Sequence, residues 1–156
     1  MLKKLKPYIA GILIPLAIGA LSALLTRNNM EIYQSIKKPP LSPPSVLFPI
    51  VWAILYILMG VGSTRIYLKR DSFDVKPCLW LYAVQLVMNL FWSIIFFNLR
   101  VYLFAFIWLC ILLILIISMT VCFSRIDKPA AYMQIPYILW VAFAGYLNLF
   151  IYILNK

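Results

Sequence analysis

The sequence has no histidine and only four acidic residues among its 156. Histidine is the usual general base, the commonest metal ligand and the usual haem ligand. The four carboxylates lie at the ends of apolar segments, at Glu31, Asp71, Asp74 and Asp127, so they form no pair and no buried site for a coupled ion pump. There is also no Gly-rich phosphate loop. We therefore expect no hydrolytic or metal-dependent catalysis, no metal site and no tightly bound cofactor.

Charged residues are scarce as a class, at 12% of the chain, whereas 65% of the residues are hydrophobic and the mean hydropathy is +0.99. A soluble domain carries about 25% charged residues and about 45–50% apolar ones, so this composition excludes a soluble domain. The net charge of +10 comes from 14 Lys and Arg that lie between long apolar runs. That distribution favours contact with membrane lipid over nucleic acid, and we expect no nucleic-acid partner.

Cysteine is also rare. Cys78, Cys110 and Cys122 each stand alone inside an apolar segment, with no C-x-x-C spacing. The expected role of such residues is that of small buried hydrophobes, and the sequence predicts no disulfide framework.

Five apolar runs of roughly 20 residues, the length that a bilayer requires, divide the chain. Because backbone groups find no water inside the hydrocarbon, each run is expected to be a helix. The sequence therefore predicts an all-α membrane protein, a single domain over 1–156 built as a bundle of five transmembrane helices. The expected spans are 7–26, 46–68, 78–97, 101–123 and 130–154.

The distribution of Lys and Arg predicts the orientation of these spans. One side of the membrane receives the N-terminus and the second and fourth loops, with nine cations: Lys3, Lys4, Lys6, Arg65, Lys69, Arg70, Lys76, Arg125 and Lys128. The other side receives five: Arg27, Lys37, Lys38, Arg100 and Lys156. Since cytoplasmic loops carry the excess, the N-terminus is expected in the cytoplasm and the first loop outside.

The first loop, residues 28–45, contains four of the ten prolines, and Pro49 follows in the first turn of the next helix. Proline fixes φ and restricts the residue before it, so Lys37 to Pro44 is expected to be stiff and non-helical, with Ser45 as a helix cap. Two interpretations remain open, a lid over a pocket mouth and a plain connection between helices.

Polar and aromatic residues recur on one face of three spans. Gln85, Asn89 and Trp92 share a face of the third span, and Trp52 shares a face with Tyr56 in the second. The fifth span repeats the pattern with Tyr137, Trp140, Ala144 and Asn148 on one face. The fourth span has no such face and is expected to lie against lipid. Polar groups inside a membrane are costly, so these faces are expected to point inward around an aromatic pocket. Amides that only join helices, and aromatics in an interfacial belt, are the alternatives.

Three ordered motifs resemble one known family over essentially the whole chain. They are K-P-P-x-x-P-P followed by P-x-V-W-x-x-L-Y-x-x-M-G, then Q-L-x-x-N followed by I-F-F, then P-Y-x-x-W-x-x-F-A-x-x-L-N. In these motifs the chain closely resembles the translocator proteins, also called tryptophan-rich sensory proteins or peripheral-type benzodiazepine receptors, and looks more like a bacterial member. One departure is that Leu90 and Trp92 leave a single tryptophan where many members carry two.

The resemblance implies a homodimer in a bacterial cell membrane whose pocket under the first loop binds protoporphyrin IX and other flat lipophilic molecules, such as isoquinoline carboxamides and benzodiazepines. Mapped onto this sequence, the implied ligand contacts are Ser22, Tyr33, Pro43, Leu47, Trp52, Asn89, Phe91, Trp140 and Ala144. A weak sterol motif falls on Leu149, Tyr152 and Lys156.

Two functions follow from the resemblance. One is light-dependent oxidative degradation of porphyrin, in which Trp52 and Trp140 are the candidate catalytic residues. The alternative is a non-enzymatic transporter or sensor of porphyrins, sterols or other lipophilic ligands.

Overall fold

A computed structural model describes residues 1–71 and 74–156, and within them the regular structure is helical. Five of the helices are long and apolar enough to cross a membrane, which confirms the predicted fold class. The helices are α1 (Leu2–Thr26), α2 (Ile32–Ser35), α3 (Leu47–Tyr67), α4 (Val75–Ser93), α5 (Tyr102–Ile126), α6 (Lys128–Tyr132) and α7 (Ile135–Asn155). A π-helical segment, Ile94–Leu99, continues α4, and a 3₁₀ turn, Arg27–Asn29, follows α1.

The helix ends differ from the sequence prediction at several places. The basic N-terminus is already helical from Leu2, and its lysines are exposed, a position that long charged side chains tolerate at a helix end. The first loop contains two short helical segments, and only its proline-rich part, 37–44, is non-helical throughout. Ser45 was expected to cap α3, but Val46 occupies that position and no side chain caps the helix.

The bundle is held together by close packing of α1 on α3, α4 on α5, and α5 on α7. Small residues allow the first of these contacts, since a Cβ at Gly60 would lie 2.5 Å from the Ile12 Cα. The fourth span was expected to lie against lipid, yet α5 buries one complete face. That face comprises Ala105, Leu109, Leu112, Ile116, Met119 and Phe123. A uniformly apolar helix shows no periodicity, so its buried face is not visible in the sequence.

A disulfide joins Cys78 to Cys122 and corrects the expectation of unpaired cysteines. The two residues are 44 positions apart, but α4 and α5 run antiparallel as neighbours, which brings the start of one beside the end of the other. Their Cα atoms are 5.5 Å apart, within the range a disulfide requires. Cys110 is free and exposed rather than buried.

A buried carboxylate links the end of α3 to the start of α6 at the end of the bundle opposite the first loop. Asp127 accepts hydrogen bonds from Arg65 Nε at 2.6 Å, from Lys69 Nζ at 2.6 Å and from the Ala130 backbone N–H at 3.1 Å. The Arg65 guanidinium lowers the pKa of this carboxyl most, with smaller contributions from Lys69 and Ala130. The same carboxylate caps α6, so one side chain connects α3 to the start of the fifth span.

Candidate functional site

A cavity of about 680 Å³ lies at the end of the bundle that carries the first loop. Its walls come from the second half of α1, the first half of α3, the end of α4 and the middle of α7, and residues of the loop cover it. The prediction that a pocket lies beneath this loop agrees with this position. The tight contact at Gly60 lies below the cavity and holds α1 and α3 together there.

Aromatic rings form much of the wall. Phe48 packs edge-on against Tyr33 and Trp140, with ring centroids 5.2 Å and 5.9 Å away. Trp52 stacks on Tyr56 at 5.5 Å, one helical turn further along α3. Because aromatic pairs in offset and edge-to-face arrangements are favourable, these contacts hold the rings in place in a wall suited to a flat apolar ligand.

Small residues of α1 and α3 form part of the cavity wall. Ala20 and Ala23 of α1, with Pro49 and Ala53 of α3, line the cavity and are exposed. Both helices are long and apolar enough to cross a membrane. The small side chains leave room in this part of the cavity.

A hydrogen-bonded chain of buried side chains supports the wall from behind. The Tyr56 hydroxyl donates to Asn89 Oδ1 at 3.1 Å, and Asn89 Nδ2 donates to the Tyr137 oxygen at 2.8 Å. The Tyr137 hydroxyl in turn donates to Gln85 Oε1 at 2.6 Å. The amide faces of the third and fifth spans thus point inward as expected. Asn89, however, holds Tyr56 in place and is not in the cavity wall.

A second polar pair lies in the wall itself. Trp92 Nε1 donates to Asn148 Oδ1 at 3.1 Å, and Asn148 Nδ2 donates to the Tyr102 carbonyl at 2.8 Å. Both side chains are buried and line the cavity. Since their hydrogen bonds are made within the protein, they present a largely neutral surface to a ligand.

Five of the nine ligand-contact positions that the resemblance implied lie together in the cavity wall: Ser22, Tyr33, Trp52, Trp140 and Ala144. The other four lie elsewhere. Pro43 is half-buried in the loop, Leu47 is exposed at the start of α3, and Asn89 lies behind Tyr56. Phe91 is exposed on the outside of α4, against Trp108 at 6.3 Å, because it points away from the face that carries Trp92.

Hydrogen bonds join the first loop to α7. Asn155 Oδ1 accepts from the Lys37 backbone N–H at 3.0 Å, and Asn155 Nδ2 donates to the Lys37 carbonyl at 2.8 Å. Tyr146 adds a hydrogen bond from its hydroxyl to the Pro40 carbonyl at 2.9 Å. Beneath the loop Tyr33 is buried, which raises the pKa of its phenol, and the Ser42 hydroxyl opposes that shift. These contacts hold the loop against α7, and the lid interpretation of the loop stays a prediction.

Comparison with known proteins shows which family the chain belongs to. The profile of the TspO/MBR family matches residues 11–154. The chain belongs to this family. It is 36% identical to the tryptophan-rich protein TspO of Chlorobaculum tepidum over 90% of both chains. It is 34% identical to the translocator protein of Bos taurus, over 91% of this chain and 86% of the relative. It is 32% identical to a tryptophan-rich protein TspO of Archaeoglobus fulgidus, over 94% and 95%.

Family membership and the five apolar helices together establish an integral membrane protein. Several of these relatives are named for their tryptophans. In this chain the tryptophans fall into two groups by position. Trp52, Trp92 and Trp140 line the cavity, whereas Trp80 is exposed and Trp108 packs outside it against Phe91 and Phe104. The cavity group is the one with access to a bound molecule.

Several wall residues were not among the implied ligand contacts, chiefly Phe48, Tyr56, Trp92 and Asn148. The shared faces of Trp52 with Tyr56, of Trp92 with Asn89 and of Trp140 with Asn148 already indicated three of them. Phe48 had no such signal, because it lies in the first turn of α3 and its partners in the wall, Tyr33 and Trp140, come from other segments of the chain.

Proposed function

We propose that this chain binds protoporphyrin IX, and other flat lipophilic molecules, in the cavity beneath the first loop and promotes light-dependent oxidative degradation of the porphyrin. The observation that supports binding is the cavity itself, at about 680 Å³ with Trp52 and Trp140 in one aromatic wall. Sites for small organic molecules usually span about 300–1,000 Å³ and are lined by apolar and aromatic side chains.

The proposed reaction needs few chemical groups from the protein. The porphyrin is a substrate that absorbs the light, dioxygen is the oxidant, and the protein holds the two together in a confined space. Trp52 and Trp140 supply oxidisable rings in contact with the bound molecule. This explains how a cavity without histidine or a carboxylate pair still supports a reaction.

Illumination of the purified protein with protoporphyrin IX, followed by absorbance, tests the proposal. The porphyrin bands are expected to decay faster with protein than without it, and to stay constant in the dark or under nitrogen. Trp52→Phe and Trp140→Phe are expected to slow the decay, while Trp80→Phe is a matched control on an exposed tryptophan. Equal decay of free and protein-bound porphyrin, or unchanged rates in both cavity variants, would contradict the catalytic role.

The mostly apolar lining of the cavity, in helices long and apolar enough to cross a membrane, supports a second candidate, a non-enzymatic transporter or sensor of porphyrins, sterols or other lipophilic ligands. A ligand that reaches the cavity from the bilayer needs no aqueous path and no coupled charge. Porphyrin flux into proteoliposomes in darkness tests transport. Flux equal to that of empty liposomes would exclude it.

For the membrane setting we propose a bacterial cell membrane, a cytoplasmic N-terminus, an external first loop and a homodimer. Labelling of a cysteine introduced at Ser35, in a Cys110→Ser background, by an impermeant maleimide on intact cells tests the orientation. Light scattering in detergent tests the dimer. The sterol motif remains a proposal: Leu149 and Tyr152 are half-buried on α7, and Lys156 is exposed at its end. Competition by cholesterol in Tyr152→Ala and in the parent chain would test that motif.

A further inference from the structure

We infer that Arg27 binds a carboxylate of the porphyrin at the cavity mouth, and that the site therefore selects flat apolar molecules with an acidic edge. Glu31, the second charged residue of the wall, weakens this attraction. The inference rests on the proposed porphyrin binding and deepens it by naming the ligand class.

The interior of the cavity offers nothing to neutralise a carboxylate. Its polar side chains are uncharged, and several already bond within the protein, as Tyr56 does with Asn89 and Trp92 with Asn148. Thr26 likewise donates to the Ser22 carbonyl at 2.8 Å. An ionised group placed among these aromatic walls would lose its hydration and meet only neutral donors, such as the Tyr33 hydroxyl and Trp140 Nε1, which have no hydrogen-bond partner among residues 1–71 and 74–156. The acidic groups of a ligand are therefore disfavoured in the interior.

The mouth is different because charge is available there. Arg27 follows α1 directly in the 3₁₀ turn, lines the cavity and is exposed. Over residues 1–71 and 74–156 the ion pairs all involve Asp127, so no carboxylate within salt-bridge distance neutralises Arg27. A guanidinium presents paired N–H donors that match a carboxylate, which makes this side chain suited to the task.

The nearby loop lysine is already engaged. Lys38 Nζ donates to the Tyr33 carbonyl at 2.6 Å and lies 4.8 Å from the centre of the Tyr33 ring. It holds the loop and is not in the cavity wall. Arg27 is thus the cation of the wall in the described part of the chain.

These positions define an orientation for the ligand. Protoporphyrin IX carries both carboxylates on one edge of a flat apolar ring. With that edge at Arg27, the apolar ring lies in the cavity whose wall includes Trp52, Trp92 and Ala144. Glu31, four residues after Arg27 and also without an ion-pair partner in that part of the chain, repels the second carboxylate. Removing its charge should therefore strengthen binding of the diacid.

Fluorescence titrations in a neutral detergent at low salt test this, with protoporphyrin IX and its uncharged dimethyl ester as probes. Arg27→Gln is expected to raise the Kd of the diacid about threefold to fivefold and to leave the ester unchanged, with Arg27→Lys intermediate. Glu31→Gln is expected to lower the diacid Kd about twofold. Lys37→Gln removes a loop charge outside the cavity wall and should change neither.

The results separate this inference from the proposed function. If the parent chain binds neither porphyrin, the proposed function fails. If it binds both and Arg27→Gln leaves the diacid unaffected, the inference alone fails. An equal loss for diacid and ester would also overturn it, since Arg27 would then act on the shape of the mouth. Selective loss for the diacid that fades as salt is added would support it.

Discussion

Replacement of Gly60 by alanine should separate α1 from α3 and lower the stability of the bundle. The added Cβ would lie 2.5 Å from the Ile12 Cα and 2.7 Å from the Gly11 carbonyl oxygen, whereas ordinary contacts begin at about 3.4 Å. Both neighbours are backbone atoms, so no side chain can rotate away and a helix has to move by about 1 Å.

The expected magnitude combines two opposing effects. Overpacking of a dense interface costs typically about 1–3 kcal/mol. Alanine is a better helix former than glycine by about 0.5–1 kcal/mol, which offsets part of that cost. The net loss should be about 1–2 kcal/mol, or a decrease in Tm of about 2–8 °C for a chain of this size.

Gly145→Ala is a matched control in the same protein. It also lies within a membrane-spanning helix, but the nearest atom to its new Cβ is Leu109 Cδ2 at 3.9 Å. Here the helix propensity of alanine acts without a clash, so Tm should be unchanged or higher. Thermal unfolding in detergent, followed by tryptophan fluorescence, measures both variants. If Gly60→Ala is as stable as Gly145→Ala, α1 and α3 do not pack as closely as described.

Four further predictions concern the cavity, the lid and the two cross-links. Ala144→Thr adds a branched side chain to the wall and should weaken protoporphyrin binding about tenfold or more without loss of helix content. Fluorescence titration measures the affinity and circular dichroism the helix content. Unchanged affinity would mean that α7 is not part of the binding site. Replacing Pro39, Pro40, Pro43 and Pro44 by alanine should make the first loop more flexible and weaken ligand binding by at most about 1 kcal/mol per well-placed proline. An unchanged Kd would show that the loop only connects two helices. Cys78→Ser should lower the free energy of unfolding by about 2–4 kcal/mol, and reduction of the disulfide in the parent protein should have the same effect. Cys110→Ser should have no effect. Thermal unfolding with and without reductant measures all three. Asp127→Asn should cost about 1–3 kcal/mol through the lost ion pairs and cap, against an exposed control, Asp71→Asn. Because the pKa of the Asp127 carboxyl is lowered in the folded protein, its contribution to the free energy of unfolding is present above its unfolded pKa of about 4 and is lost as the pH falls below that value. The parent protein and Asp127→Asn should therefore become equally stable in acid.

The spans and their inward faces were predictable because they depend on local composition and helical periodicity. Hydrocarbon forces any apolar run of this length into a helix, and a polar side chain in that helix has to point away from lipid. Gln85, Asn89 and Asn148 are buried as that argument requires. The ordered motifs, in turn, were long enough to indicate the family, which the family match confirmed.

Which inward residues reach the cavity was decided only by the tertiary structure. Asn89 and Trp92 share a helix face, yet a Tyr56 ring stands between Asn89 and the cavity, while Trp92 lies in its wall. The Cys78–Cys122 disulfide and the fastening of the loop by Asn155 join residues 44 and 118 positions apart. The sequence by itself determined which polar residues avoid lipid, because that choice is local. The rotation and approach of neighbouring helices determined which of them meet one another, because packing depends on side chains from distant parts of the chain.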